Sequence, residues 1–189
     1  LSSRTFGKDK NKTIALATKY LNGLMDYGII PVLKHYPGHG LVNTDSHIQE
    51  CISYEVEDSE RFKNHFSVFQ YLYDHFKIPI MTSHILFKNI DTNITTYSKK
   101  TLKMINKNNK IRLISDDLEM HSAKYKNSVE IQPAERVRLA LDAGCSFLIV
   151  TTMLLDEVRM HNKTSKYLIE NYLTDEVRNI YKETRLDGI

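Results

Sequence analysis

Four short apolar runs, each followed by a stretch with helical spacing, restrict this chain to α/β folds. Ile14, Ala17, Leu21, Leu24 and Met25 recur at helical spacing, and Gly28 stops that helix. The run Ile29 to Leu33 reads as a first strand and ends in Lys34-His35. A polar loop from Tyr36 to about Val56 precedes a helix with Phe62, Phe66, Phe69, Leu72 and Phe76 on its apolar face, capped by Asp58 or Ser59. Ile78 to Thr82 is a second strand, ending near Ser83-His84. Ser98 caps a short helix carrying Leu102 and Ile105, and Arg112 to Ser115 is a third strand, ending in Asp116-Asp117. Pro133 to Ala143 is a helix with Gly144 as its stop, Phe147 to Val150 a fourth strand, and Leu154 to Arg185 two further helices.

Strands separated by helices pair in parallel, because each crossover returns the chain in the same direction. Function in such folds collects at the carboxyl ends of the strands. Three of the four strands end in Lys34-His35, His84 and Asp116-Asp117, which predicts a shared site on one rim. The 189 residues make one domain or a piece of a larger one, and 41% hydrophobic content with only 7 Gly and 4 Pro excludes a disordered chain. The +3 net charge comes from 26 basic and 23 acidic residues that are intermixed, so no nucleic-acid partner is expected. Two cysteines are too few for a disulfide framework, and Cys145 sits in an apolar run as a core residue. The longest apolar stretch, Leu139 to Leu155, is broken by Asp142 and Gly144, so no membrane partner is expected, and a cytoplasmic protein is the expectation.

Two constellations carry chemistry. In the first, Lys34 to Gly40 is followed by Asp45-Ser46-His47, and a carboxylate two residues from an imidazole can fix its tautomer and raise the basicity of the free nitrogen. In the second, Ser115 to Met120 holds the adjacent carboxylates of Asp116 and Asp117. One is suited to face a cleft while the other is held by backbone donors. A cleft-facing carboxylate opposed by a proton-shuttling group is the arrangement for displacement at an anomeric carbon.

Lys34-His35-Tyr36-Pro37-Gly38-His39-Gly40 with Asp45-Ser46-His47 resembles the Lys-His-Phe-Pro-Gly-His-Gly…Asp-Ser-His signature of glycoside hydrolase family 3 β-N-acetylglucosaminidases. Ser115 to Met120 is similar to that family's nucleophile segment. Ser3 to Gly7, Met81 to His84 and Ala143 to Cys145 are similar to three further segments, in the same order. The resemblance implies a (β/α)8 TIM-barrel fold. It implies Asp116 as nucleophile, His47 as acid/base with Asp45 as its partner, and Arg4, Lys34 and His35 as binders of N-acetylglucosamine. It implies no metal and no cofactor. The implied substrates are N-acetylglucosamine-containing glycans, cell-wall muropeptides among them, cleaved with retention.

Three departures accompany it. Tyr36 stands where Phe is usual, Ser146 where Asp is usual, and only about four βα units are readable where a barrel takes about 250 residues. Residues 1–189 are therefore expected to be the C-terminal portion of a catalytic barrel without its N-terminal strands, hydrolysing poorly alone. Rival readings are a metal-dependent hydrolase using His35, His39, Asp45, His47 and His84, and an inactive glycan-binding fragment. A substrate-assisted mechanism oriented by Asp116-Asp117 is a third.

Overall fold

The computed structural model describes residues 5–108 and 110–151. Arg4 and the helices expected within Leu154 to Arg185 lie outside them. The chain divides after Ile149, and the fold described is that of the unit ending there.

Helix α1 (Lys10–Asp26) begins where the Asp9 side chain accepts the Lys12 N–H at 2.7 Å, and it ends at Gly28, whose φ of +74° suits the reversal. Strand β1 (Leu33–Tyr36) starts later than the apolar run suggested. Pro31 lacks an N–H for the ladder, and Ile29 and Ile30 are exposed; pairing opens with the Leu33 N–H on the Pro79 carbonyl at 3.0 Å. Strand β2 (Cys51–Ser53) lies inside the segment expected to be loop. Helix α2 (Glu60–Phe76) is capped by Ser59, whose hydroxyl accepts the Phe62 N–H at 3.1 Å.

Strands β3 (Ile80–Thr82) and β4 (Ile85–Phe87) flank Ser83-His84, and α3 (Lys99–Ile105) is capped by Ser98 as its sequence predicts. Strand β5 (Leu113–Asp117) runs through both aspartates rather than stopping at Ser115. A one-turn helix α4 (His121–Lys124) leads into a hairpin, β6 (Tyr125–Lys126) and β7 (Val129–Glu130), that had no sequence signal. Helix α5 (Pro133–Ala143) has the expected proline start and ends at Gly144 with φ +114°. Strand β8 (Phe147–Ile149) completes the unit.

The main sheet is parallel, in the order β1-β3-β5-β8, so all four strands end on one rim. A separate parallel pair, β2 and β4, packs against α2. There Leu41, Cys51, Phe62, Ile85, Phe87 and Ile90 form a buried cluster, with the Phe62 and Phe87 rings edge to face at 5.4 Å. Leu41 belongs to a short 3₁₀ turn, His39–Leu41, so this cluster holds down the start of the loop that carries Asp45 and His47. Among the described residues no helix is long and apolar enough to cross a membrane.

Candidate active site

The parallel order places His35, His84 and Asp116 at one end of the sheet, as the strand-end pattern predicts. Side chains of β1 and β5 reach across the end of β3, and His35 Nε2 stands 3.3 Å from Asp116 Oδ2, with both side chains mostly buried. A register irregularity between Ile114 and Asp117 bends β5 at this point. Ser115 occupies the gap: its hydroxyl accepts the Ile149 N–H at 3.0 Å, while the Leu118 N–H returns to the Ile149 carbonyl at 2.9 Å.

The two carboxylates are held differently. Asp116 Oδ1 accepts the Asp117 N–H at 2.9 Å, leaving Oδ2 to His35. Asp117 Oδ1 accepts the Glu119 N–H at 3.0 Å, the local turn interaction anticipated for one of the pair. Burial drives the His35 pKa down, against the pull of the Asp116 charge and with help from Lys34. A neutral imidazole carrying its proton on Nε2 can donate to Asp116 without adding a second buried charge.

The other half of the site is a loop. His47 Nδ1 lies 2.7 Å from Asp45 Oδ1, which also accepts the His47 backbone N–H at 2.9 Å. These two bonds to His47 hold the Asp45 carboxyl below its usual range. With Nδ1 committed to Asp45, Nε2 is the nitrogen free for proton transfer. The dyad is open to solvent, and no direct His47–Asp116 contact is found among the described residues. The connection runs through Ser46, which is buried. His39 Nε2 meets Ser46 Oγ at 3.3 Å, and the His39 ring stands edge-on to His35 at 5.9 Å. The Ser46 carbonyl accepts the Ser122 N–H at 3.0 Å, from the turn that follows Asp116.

The remaining sequence candidates fall around this frame. Lys34 is exposed beside His35, and Arg4 lies outside the described residues. Tyr36 is fully buried and its hydroxyl donates to the Thr101 carbonyl at 3.1 Å, so the added oxygen relative to Phe has a partner. His84 is also fully buried: Nε2 donates to the Asp117 carbonyl at 2.9 Å and Nδ1 meets Thr96 Oγ1 at 2.8 Å. It supports the end of β5 from behind. The metal reading finds no cluster, since among the described residues no group of three or more His, Cys, Asp or Glu side chains stands together as ligands. Cys145 is a core residue as expected, its thiol pushed up to about 12 by burial.

Sequence reasoning quoted Ser46 and His39 within the signature but gave Ser46, Ser122 and Thr96 no role, and gave His39 only that of a candidate metal ligand. His39 had a signal, its place in the glycine-rich turn beside His35. Ser46 stands in the Asp-Ser-His element, but its burial, like that of Ser122, has no sequence signal.

Comparison with known proteins gives a consistent set of matches. Residues 1–182 match the Glycosyl hydrolase family 3 N terminal domain. The β-hexosaminidase of Nitrosomonas eutropha is 30% identical over 154 residues, 79% of this chain and 42% of its own length. That of Haemophilus influenzae is 31% identical over 154 residues, with the same 79% and 42%. The chain thus spans less than half the length of these curated relatives. Zinc-bound CbsA from Thermotoga neapolitana aligns with a TM-score of 0.79 at 25% identity, covering 96% of this chain and 41% of that one. A family 3 β-N-acetylglucosaminidase from Paenibacillus sp. str. FPU-7 aligns at 0.67 and 20% identity, over 88% of this chain and 34% of that one, a likeness of fold. The four-stranded sheet is accordingly a partial barrel of the TIM type.

Proposed function

Because the chain belongs to glycosyl hydrolase family 3, we propose that it carries the site of a retaining exo-β-N-acetylglucosaminidase acting on N-acetylglucosamine-containing glycans. Cell-wall muropeptides, processed in the cytoplasm, are the substrates this reading favours, and residues 1–189 are the C-terminal portion of the catalytic barrel. The observation that carries the proposal is the partition of the two aspartates. Asp117 Oδ1 is taken up by its own turn, while Asp116 turns Oδ2 to His35 at 3.3 Å across the strand ends.

In the first step an Asp116 carboxylate oxygen attacks the anomeric carbon as its bond to the leaving oxygen breaks. His47 Nε2 gives that oxygen a proton, and Asp45 stabilises the imidazolium before transfer. In the second step water adds to the anomeric carbon, His47 takes its proton, and the ester bond to Asp116 breaks. Two inversions give net retention. His35, Lys34 and Arg4 bind the sugar in this reading. The histidine takes the part of the second carboxylate found in most glycosidases.

Trapping tests the assignment. A fluorinated N-acetylglucosaminyl donor, incubated with the natural full-length protein and followed by peptide mass spectrometry, is expected to label Asp116. Asp116→Asn is expected to lower turnover by at least about 10³-fold. An active protein that takes no label on Asp116 would instead be using the substrate's own acetamido group.

A further inference from the structure

Ser46 sits between two exposed residues and is itself sealed. Its relative exposure is 2%, whereas the side chains of Asp45 and His47 are 60% and 62% exposed. Such an alternation within three loop residues requires that something hold the middle one. Two groups do, one from the 3₁₀ turn after β1 and one from helix α4 after β5. The Ser46 hydroxyl meets His39 Nε2 at 3.3 Å, on the turn that continues β1 and stands against His35. The Ser46 carbonyl accepts the Ser122 N–H at 3.0 Å, six residues after Asp116.

Ser122 is fixed in its turn: its hydroxyl donates to the His84 carbonyl at 2.6 Å and accepts the Cys51 N–H at 3.1 Å. The loop is therefore tied to the ends of β1 and β5 through one residue, although neither His47 nor Asp45 touches those strands in the contacts described. His39 Nδ1 is buried without a protein partner, so the Ser46 hydroxyl is the one side-chain hydrogen bond found for that ring among the described residues.

The geometry points to Ser46 as a positioning residue that sets the Asp45–His47 dyad against Asp116, with His39 as its side-chain anchor. The inference rests on reading Asp116 as the nucleophile and His47 as the acid/base. Misplacing a catalytic group by about 1 Å costs roughly 10²-fold, so the loss should be confined to steps that need proton transfer.

The test compares kcat/KM, which reports formation of the glycosyl-enzyme, for two substrates of the natural full-length protein. One is an N-acetylglucosaminide with a dinitrophenyl leaving group, which departs without a proton. The other is an unactivated alkyl N-acetylglucosaminide, which needs one. Ser46→Ala and His39→Ala are each expected to lower kcat/KM on the alkyl glycoside by about 10- to 100-fold and to leave the dinitrophenyl value within about threefold. The double variant is expected to be no worse than the poorer single one, since both remove one contact.

Equal losses on both substrates, or no loss on either, would overturn the inference, as would additive losses in the double variant. His47→Ala is the control. If it lacks the leaving-group dependence, the acid/base assignment itself fails and Ser46 falls with it. If it shows the dependence and Ser46→Ala does not, only the role of Ser46 is lost.

Discussion

At the level of single side chains, the turn after β1 is shaped by how closely helix α2 approaches it. A Cβ on Gly38 would lie 2.8 Å from both Cβ and Cγ of His65, the base of a side chain that cannot move without its helix. Gly38 also has φ +143°, a conformation that L-residues seldom take. Gly40 differs: its added Cβ would meet the His65 ring edge at 2.8 Å, and no positive φ binds it. Gly38→Ala is therefore expected to cost about 2–4 kcal/mol from strain and overpacking together, and Gly40→Ala clearly less. Urea unfolding of the two variants checks the order. Equal midpoints would mean that the turn moves away from α2 freely.

Between elements, the junction of β5 with α5 depends on one buried cation. Arg136 is 2% exposed; its Nη1 donates to the Leu118 carbonyl at 2.7 Å and lies 3.3 Å from Glu119 Oε1. Lys124 reaches the other Glu119 oxygen at 3.0 Å. Removing the guanidinium takes the donor from the Leu118 carbonyl and one nearby cation from the largely buried Glu119 carboxylate. Arg136→Met is expected to destabilise the fold by about 3–5 kcal/mol. Adding Glu119→Gln should recover part of that, because the buried carboxylate charge that Arg136 helped balance goes too. Denaturant titration of the single and double variants decides it, and a double variant less stable than Arg136→Met would contradict the account. The same ladder of contacts fixes Leu118, so loosening it also loosens the strand end that aims Asp116.

Across the described residues, the buried and half-buried histidines are expected to set the acid limit of stability. His35, His39, His65 and His84 all have pKa values lowered from the ordinary 6.5, with burial as the largest cause in each. The unfolded chain binds these protons more readily than the folded one, so stability rises with pH through this window. It is intact above about 6.5 and is lost as pH falls toward the depressed folded values. Thermal melts are expected to show a lower Tm near pH 5 than near pH 7.5. A flat profile over that range would mean that the rings are solvated. Three of the four, His35, His39 and His84, line the rim of the sheet. The site and the acid sensitivity thus have one structural source.

Helix ends were legible before any folding, because they depend on neighbours in the chain. Ser59 and Ser98 cap, Pro133 opens and Gly144 closes where residue chemistry says they should, and β3, β5 and β8 lie within or beside the predicted apolar runs. So was the gathering of His35, His84 and Asp116 on one rim, which follows once the strands are parallel. The strands β2 and β4 and the two-residue strands of the hairpin β6–β7 were not legible: each is defined by the partner it pairs with, whereas the equally short β3 and β8 lie in apolar runs between helical stretches. Residue type alone did not separate Asp116 from Asp117, identical and adjacent, and only the family resemblance favoured Asp116. The bend in β5, which depends on pairing with β8, and the local turn at Glu119 hold the two carboxylates differently. Ser46 and Ser122 are the same case: burying a hydroxyl or an amide is favourable only where a partner waits, and those partners arrive from elsewhere in the chain.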